Sequence, residues 1–249
     1  MSSDTTAAVI IIGNEILSGR TQDSNLAFIG KHLDLLGIRL AEARIIPDVE
    51  QVIIDTVNEF RNVYTYVITT GGIGPTHDDI TAQSIAKAFR LQLERRSDAV
   101  ERLEKYYGPD RINDARLKMA DIPSGAVLID NPISGAPGFQ LENVFVMAGV
   151  PTIMQLMFEG IEDRLTGSAP ILTSSVATNL GESSLAEDLG KLQQAYPDIN
   201  IGSYPYFKKG KLGVNVVMRT TDSNRLIELN DQVCKMILRL GGKVLEEHV

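Results

Sequence analysis

Short apolar runs alternate along the chain with segments whose apolar residues recur every three or four positions. This is the pattern of strands and helices taking turns in an α/β protein. Residues 9–12 are continuously apolar, as expected of a strand covered on both faces. Leu26, Ile29, Leu33 and Leu36 then fall on one helical face, and Gly37 follows as a helix terminator. Residues 38–46 predict the next strand, ended by Pro47. Val52, Ile53, Val57 and Phe60 mark a second amphipathic helix, and residues 64–69 a third strand. Ile80, Ile85 and Phe89 predict a helix, and residues 91–94 a short strand. Residues 97–120 are charge-rich and helical in pattern, with a break at Gly108-Pro109. Residues 123–138 are punctuated by Pro and Gly and read as loop with short extended pieces. Residues 144–147 predict another buried strand, followed by a helix through Met154, Met157, Phe158 and Ile161.

Beyond residues 167–170 the order changes to strand (171–177), helix (183–196), two strands (200–204 and 211–219), helix (224–240) and strand (243–247). A β-α-β-β-α-β order of this kind predicts a ferredoxin-like unit. The expected organisation is a doubly wound, mostly parallel α/β domain over residues 1–167 and a smaller α+β subdomain over 168–249. Lys208, Lys209, Gly210 and Lys211 read as a solvated hairpin loop.

The chemistry concentrates where the third strand meets its helix, in Thr69-Thr70-Gly71-Gly72-Ile73-Gly74-Pro75-Thr76-His77-Asp78-Asp79-Ile80-Thr81. Three glycines there let backbone N–H groups approach a ligand that a Cβ would obstruct. The start of the following helix adds unpaired N–H groups that suit a phosphate. Asp78 and Asp79 cap a helix well, but beside a phosphate they would repel it unless a divalent cation bridges the two. A tight turn with a capping aspartate is the plainer alternative. Gly13 to Gly19 follow the first strand, and loops after strand carboxyl ends line the ligand crevice of a doubly wound sheet. Glu15 and Asp23 are therefore candidate polar ligands, with helix capping the alternative for Asp23, Ser24 and Asn25. Asp48 reads by position as a helix cap. If its strand lies beside the third, Asp48 and Asp79 sit at adjacent strand ends and could share a magnesium ion with substrate phosphates. Ser134 to Phe139 form another glycine-containing loop that could close over a ligand or simply turn.

Composition narrows the function class. The 249 residues are 43% hydrophobic and 22% charged, ordinary values for a globular chain. A net charge of −8 without a basic stripe argues against an electrostatic grip on nucleic acid or an anionic membrane. The single Cys234 excludes an internal disulfide and a cysteine-based zinc site, and its apolar helical neighbours predict a core thiol. No apolar run approaches the roughly 20 residues that span a bilayer, and residues 1–7 lack the pattern of an export signal, so a cytoplasmic location is expected.

Taken together, Gly13-Asn14-Glu15-Ile16-Leu17 with Asp23 and Asn25, the segment 69–81, Gly135-Ala136-Pro137-Gly138 and Gly149-Val150-Pro151 resemble the MoaB/Mog-type molybdopterin-binding family. Within it the chain is most similar to the N-terminal domain of the competence-damage protein CinA and to the N-terminal half of eukaryotic FAD synthases. Gly181-Glu182-Ser183-Ser184-Leu185 resembles the start of that group's small C-terminal subdomain. The resemblance implies a pterin- or nucleotide-binding crevice, a phosphorylated small-molecule partner and a homo-oligomer. It implies catalytic and metal-holding roles for Asp48 and Asp79. The implied ligand contacts are Gly13, Asn14, Glu15, Asp23, Asn25, Thr70, Gly71, Gly72, Gly74, Pro75, Thr76, Asp78, Gly135, Pro137 and Gly138. The implied cofactors are a divalent cation, magnesium or cobalt, and molybdopterin as a bound ligand. The leading functional expectation is metal-dependent hydrolysis of a nucleotide pyrophosphate such as ADP-ribose. The alternatives are a molybdopterin-binding or molybdopterin-adenylylating protein, and a non-catalytic nucleotide-sensing subunit. Neither the amidase domain appended in many CinA-like proteins nor the adenylyl-transfer domain of FAD synthases falls within these residues, so neither activity is carried over.

Overall fold

The computed structural model describes residues 5–208 and 210–248. Residues 1–4, where part of the non-export reading falls, and Lys209 of the expected hairpin loop lie outside them. The chain divides into two compact units, Met1–Ser168 and Ala169–Val249.

The first unit runs β1 (Thr6–Ile12), α1 (Asn14–Leu17), α2 (Asn25–Leu35), β2 (Arg39–Ile46), α3 (Glu50–Val63), β3 (Tyr66–Thr70), α4 (Thr81–Ala88), β4 (Leu93–Arg95) and α5 (Ser97–Tyr107). It continues with α6 (Asp114–Lys118), β5 (Asp121–Pro123), β6 (Val127–Ile129), β7 (Gly138–Leu141), β8 (Val144–Met147) and α7 (Pro151–Glu159). Six strands form one sheet in the order β2-β1-β3-β8-β7-β6. β2, β1, β3 and β8 are mutually parallel, while β7 runs antiparallel to both of its neighbours. The period-two geometry of a strand divides β1 between two cores. Ala8, Ile10 and Ile12 pack with Ile53, Val57 and Phe60 of α3 and Ile85 of α4. Ala7, Val9 and Ile11 pack with Ile29 and Leu33 of α2 and Met154, Met157 and Phe158 of α7. A strand covered on both faces has no polar side, so its sequence is an unbroken apolar run.

Helices α2 and α4, which follow the adjacent strands β1 and β3, lie on opposite faces of the sheet. Their connections diverge, and a crevice opens between the loops after β1 and β3. The same topology corrects one expectation. The strand ending before Asp48 does not lie beside β3, because β1 sits between β2 and β3. Two strand spacings, about 10 Å, separate the ends from which Asp48 and Asp79 emerge.

The second unit runs β9 (Leu172–Thr178), α8 (Glu182–Ala195), β10 (Asn200–Lys208), β11 (Lys211–Thr220), α9 (Ser223–Arg239) and β12 (Val244–His248). Its four strands form an antiparallel sheet in the order β10-β11-β9-β12. Val176, Val214, Val216 and Met218 pack on Leu185 of α8 and on Leu226, Leu229, Val233 and Ile237 of α9, forming a core of this unit's own residues. Cys234 packs partly buried against that core, and burial pushes its thiol pKa up, as for an unreactive thiol. Among the described residues, no helix is long and apolar enough to cross a membrane.

Candidate functional site

A cavity of about 680 Å³ opens at the carboxyl ends of the first unit's strands. Its wall comes from the loop after β1 (Glu15, Thr21), the loop after β3 (Gly71, Gly72, Ile73, Gly74, Pro75, Asp79), the loop after β8 (Ala148, Gly149, Val150) and the turn before β7 (Asn131, Ser134, Ala136). Tyr107, Arg116 and Met119 join it from the α5–α6 segment, and Pro151 and Ile153 from the start of α7. A smaller compartment beside it is lined by Gly72, Gly74, Asp79, Lys118 and Pro137 among others.

The glycine loop is built by backbone conformations that side chains resist. Gly71 and Gly72 sit at φ +103 and +67. A Cβ on Gly71 would meet the Ile12 carbonyl, and one on Gly72 the Thr81 hydroxyl. Gly74 needs no unusual φ, but a Cβ there would come within 2.6 Å of an Asp79 carboxylate oxygen. The loop is tied down at both ends. The Gly71 amide donates to the Met147 carbonyl at 3.1 Å, and the Thr81 amide and hydroxyl donate to the Gly72 and Gly71 carbonyls. The Gly71 amide is thus committed to the fold, contrary to its expected role as a phosphate donor. The amides of Gly72, Ile73 and Gly74 donate to no described residue, and all three residues line the cavity.

The acidic residues divide by position. Asp79 lines the cavity, and its Oδ2 accepts from the Thr76 amide at 2.8 Å and from the Thr76 hydroxyl. Glu15 lines the same cavity from the neighbouring strand end. Asp48 is not among the lining residues. Its Oδ2 accepts the Asn14 amide at 2.8 Å, which fastens the loop after β1 to the loop after β2. Asp23 is likewise engaged within the fold, since its Oδ1 accepts the Leu26 amide in the first turn of α2 at 2.9 Å. Asp78 is exposed. The lone hydroxyl proton of Thr76 serves one carboxylate at a time, and the hydrogen bond present is the one to Asp79. His77 is almost fully exposed. Among the described residues, no group of three or more His, Cys, Asp or Glu side chains is placed to hold a metal ion.

The remaining expected contacts are mostly framework. The Gly13 amide donates to the Ile46 carbonyl. Asn25 is 3% exposed, and its Nδ2 donates to the Gly149 carbonyl at 2.9 Å, joining the start of α2 to the loop after β8. Gly135 (φ +71) packs against Tyr106, where a Cβ would be 2.7 Å from the Tyr106 Cβ. Gly138 lies in β7 against the Val146 carbonyl. Thr70 is 1% exposed at the end of β3, and its hydroxyl has no partner among the described residues. Sequence reasoning missed Tyr107, Arg116 and Asn131. Asn131 organises its turn by accepting the Ile133 and Ser134 amides and donating to the Ala136 carbonyl.

A parallel sheet with diverging connections and a glycine-lined cavity over its strand ends defines a doubly wound α/β ligand-binding protein. The chain belongs to the family described as "Probable molybdopterin binding domain", whose model matches residues 8–167. Residues 170–240 match the "FAD synthase, middle domain". A protein of Archaeoglobus fulgidus is 35% identical over 197 residues, covering 79% of this chain and 84% of its own. A "Probable FAD synthase" of Caenorhabditis elegans is 31% identical, covering 89% of this chain and 48% of its own. Among solved structures, the protein CinA from Thermoplasma acidophilum, described as of unknown function, superposes with a TM-score of 0.61 at 34% identity. It covers 65% of this chain and 99% of its own. The likeness to the CinA and FAD synthase groups accords with the resemblance drawn from the sequence motifs.

Proposed function

We propose that the cavity binds a phosphorylated planar heterocycle of the molybdopterin or nucleotide class. The observation that carries this reading is the set of uncommitted amides at Gly72, Ile73 and Gly74 bordering a cavity of ligand size. Backbone donors fixed by the fold accept a phosphate without reorganising. The family description, a molybdopterin-binding domain, supports the heterocycle. Calorimetric titration with ADP-ribose and with a pterin carrying a phosphate monoester tests it. Saturable one-to-one binding of at least one is expected, weakened about tenfold or more in Gly74→Ala, where the new methyl group crowds Asp79 beside the donors. No binding of either by the wild type would refute it.

A second reading, cleavage of a nucleotide pyrophosphate, rests on a separate observation. Glu15 and Asp79 both line the cavity and emerge from adjacent strand ends. They, rather than Asp48 and Asp79, are the carboxylates suited to share a divalent cation with the substrate's phosphates, since magnesium is commonly held by one or two carboxylates plus phosphate oxygens. Such a cation would supply charge neutralisation at the phosphoryl oxygens. The chain's own contribution is a carboxylate placed to take a proton from attacking water. Water adds across the P–O–P bridge, and ADP-ribose yields AMP and ribose 5-phosphate. AMP release in magnesium or cobalt buffer, absent without metal, is the expected result; no AMP above the metal-free control contradicts this reading while leaving ligand binding intact.

A further inference from the structure

The cavity wall contains a cation that the reading above does not yet use. Arg116, on the short α6, faces the same cavity as the free amides of the glycine loop. Its guanidinium carbon lies 4.2 Å from the centroid of the Tyr107 ring, and Nη1 donates to the Arg111 carbonyl. Among the described residues these partners are a π face and a carbonyl, and neither neutralises the charge. A stacked and tethered guanidinium has lost most of its rotamer freedom before any ligand arrives. Its helix is anchored as well. Asn113 accepts the Arg116 amide at 2.9 Å, and the Lys118 ammonium donates to the Thr76 carbonyl within the glycine loop. The two walls are therefore mechanically joined.

The charges explain why a cation is needed there. Glu15 and Asp79 place two carboxylates on the same wall, and an incoming phosphate is repelled by both. The amides offer only partial charges. A fixed guanidinium lining the same cavity contributes a full charge and a fork that matches phosphate oxygens.

We propose that Arg116, stacked on Tyr107, grips the phosphate of the ligand and makes this cavity select phosphorylated over unphosphorylated heterocycles. The inference deepens the binding function proposed above and rests on it. Tyr107 is a positioning residue that acts through Arg116.

Calorimetric titration of the full chain with ADP, adenosine, and the same pterin with and without its phosphate ester tests the idea. Arg116→Ala is expected to lose about tenfold to hundredfold in affinity for whichever phosphorylated compound the wild type binds, with little change for its unphosphorylated partner. The tighter wild-type ligand of ADP and pterin phosphate identifies the source of the phosphate. Arg116→Lys retains the charge without the fork and should fall between wild type and Arg116→Ala. It also guards against a misfolded alanine variant. Tyr107→Phe preserves the selectivity ratio, whereas Tyr107→Leu lowers it. Wild-type binding with an unchanged phosphorylated-to-unphosphorylated ratio in both arginine variants overturns the assignment of Arg116 alone. Failure of the wild type to bind any of the four compounds overturns the binding function and this inference with it.

Discussion

Thr70 and Asp48 show how a residue's chemistry depends on where the backbone leaves it. The Thr70 hydroxyl is buried at the end of β3 with no partner among the described residues, and an unsatisfied buried hydroxyl costs about 1–3 kcal/mol. Thr70→Val keeps the shape and removes that cost. The variant should be as stable as the wild type or more so by up to that amount in urea unfolding. A clear loss of stability would mean that the hydroxyl has a partner. Asp48 is bound to the Asn14 amide away from the cavity, whereas Glu15 and Asp79 line it. If pyrophosphate cleavage operates, Glu15→Gln and Asp79→Asn each lower AMP production by about 10²–10⁴-fold, while Asp48→Asn retains most of it in the same assay. Equal losses in all three variants would restore a catalytic role to Asp48.

The glycine loop was readable at this scale because positive φ and close approach at Gly71 and Gly72 leave few other residue types possible. Arg116 was not. A charged residue in a charge-rich helical segment looks the same whether it faces solvent or a cavity, and only the packing of α6 over the glycine loop separates the two.

Among the elements, α3 illustrates a helix specified by pattern. Ile53, Val57 and Phe60 recur at four- and three-residue spacing and are fully buried against β1. Burying Phe60 contributes about 2–3 kcal/mol from area alone. Phe60→Ala also leaves a cavity and should cost about 3–5 kcal/mol by denaturant unfolding; a loss below about 1 kcal/mol would mean the core closes over the gap. Strand β2 carries an ionic cluster on the face covered by α3. Glu42 accepts from the Tyr64 hydroxyl and from Arg44, and Arg44 also pairs with Glu59. The Tyr64 hydrogen bond first, then Arg44, holds the Glu42 carboxyl below the usual carboxylate range, and Arg44 likewise lowers that of Glu59. A depressed carboxyl pKa stabilises the fold above its unfolded value, and that contribution disappears as pH falls through the folded value. Glu42→Gln should therefore be less stable than the wild type near neutral pH, and the gap should narrow as the pH falls through the carboxylate range. A gap that widens on acidification would contradict these shifts. Strand existence was legible from apolar runs, but lateral order was not. The pattern of β2 is the same on either side of β1, and the choice follows from which sheet face each connecting helix covers.

For the whole molecule, every residue around the cavity belongs to the first unit, and each unit buries its own apolar residues. A fragment of residues 1–168 is expected to fold cooperatively and bind ligand with the affinity of the full chain. A fragment that folds but binds at least tenfold more weakly would assign part of the site to the second unit. The change of element order near residue 170 was visible in the sequence because a β-α-β-β-α-β unit breaks the strand–helix alternation before it. The meeting of five loop regions at one cavity was not visible, since they lie up to about 130 residues apart in the chain and only the finished sheet aligns them.

The central claim is that fixed amides at Gly72, Ile73 and Gly74 receive a phosphate. A crystal of the full chain soaked with whichever of ADP-ribose or pterin phosphate binds in solution tests it most directly. Phosphate oxygens are expected about 3 Å from those amide nitrogens, with the heterocycle in the same cavity. Density for the ligand at another place on the molecule, with the glycine loop bare at saturating concentration, would contradict it.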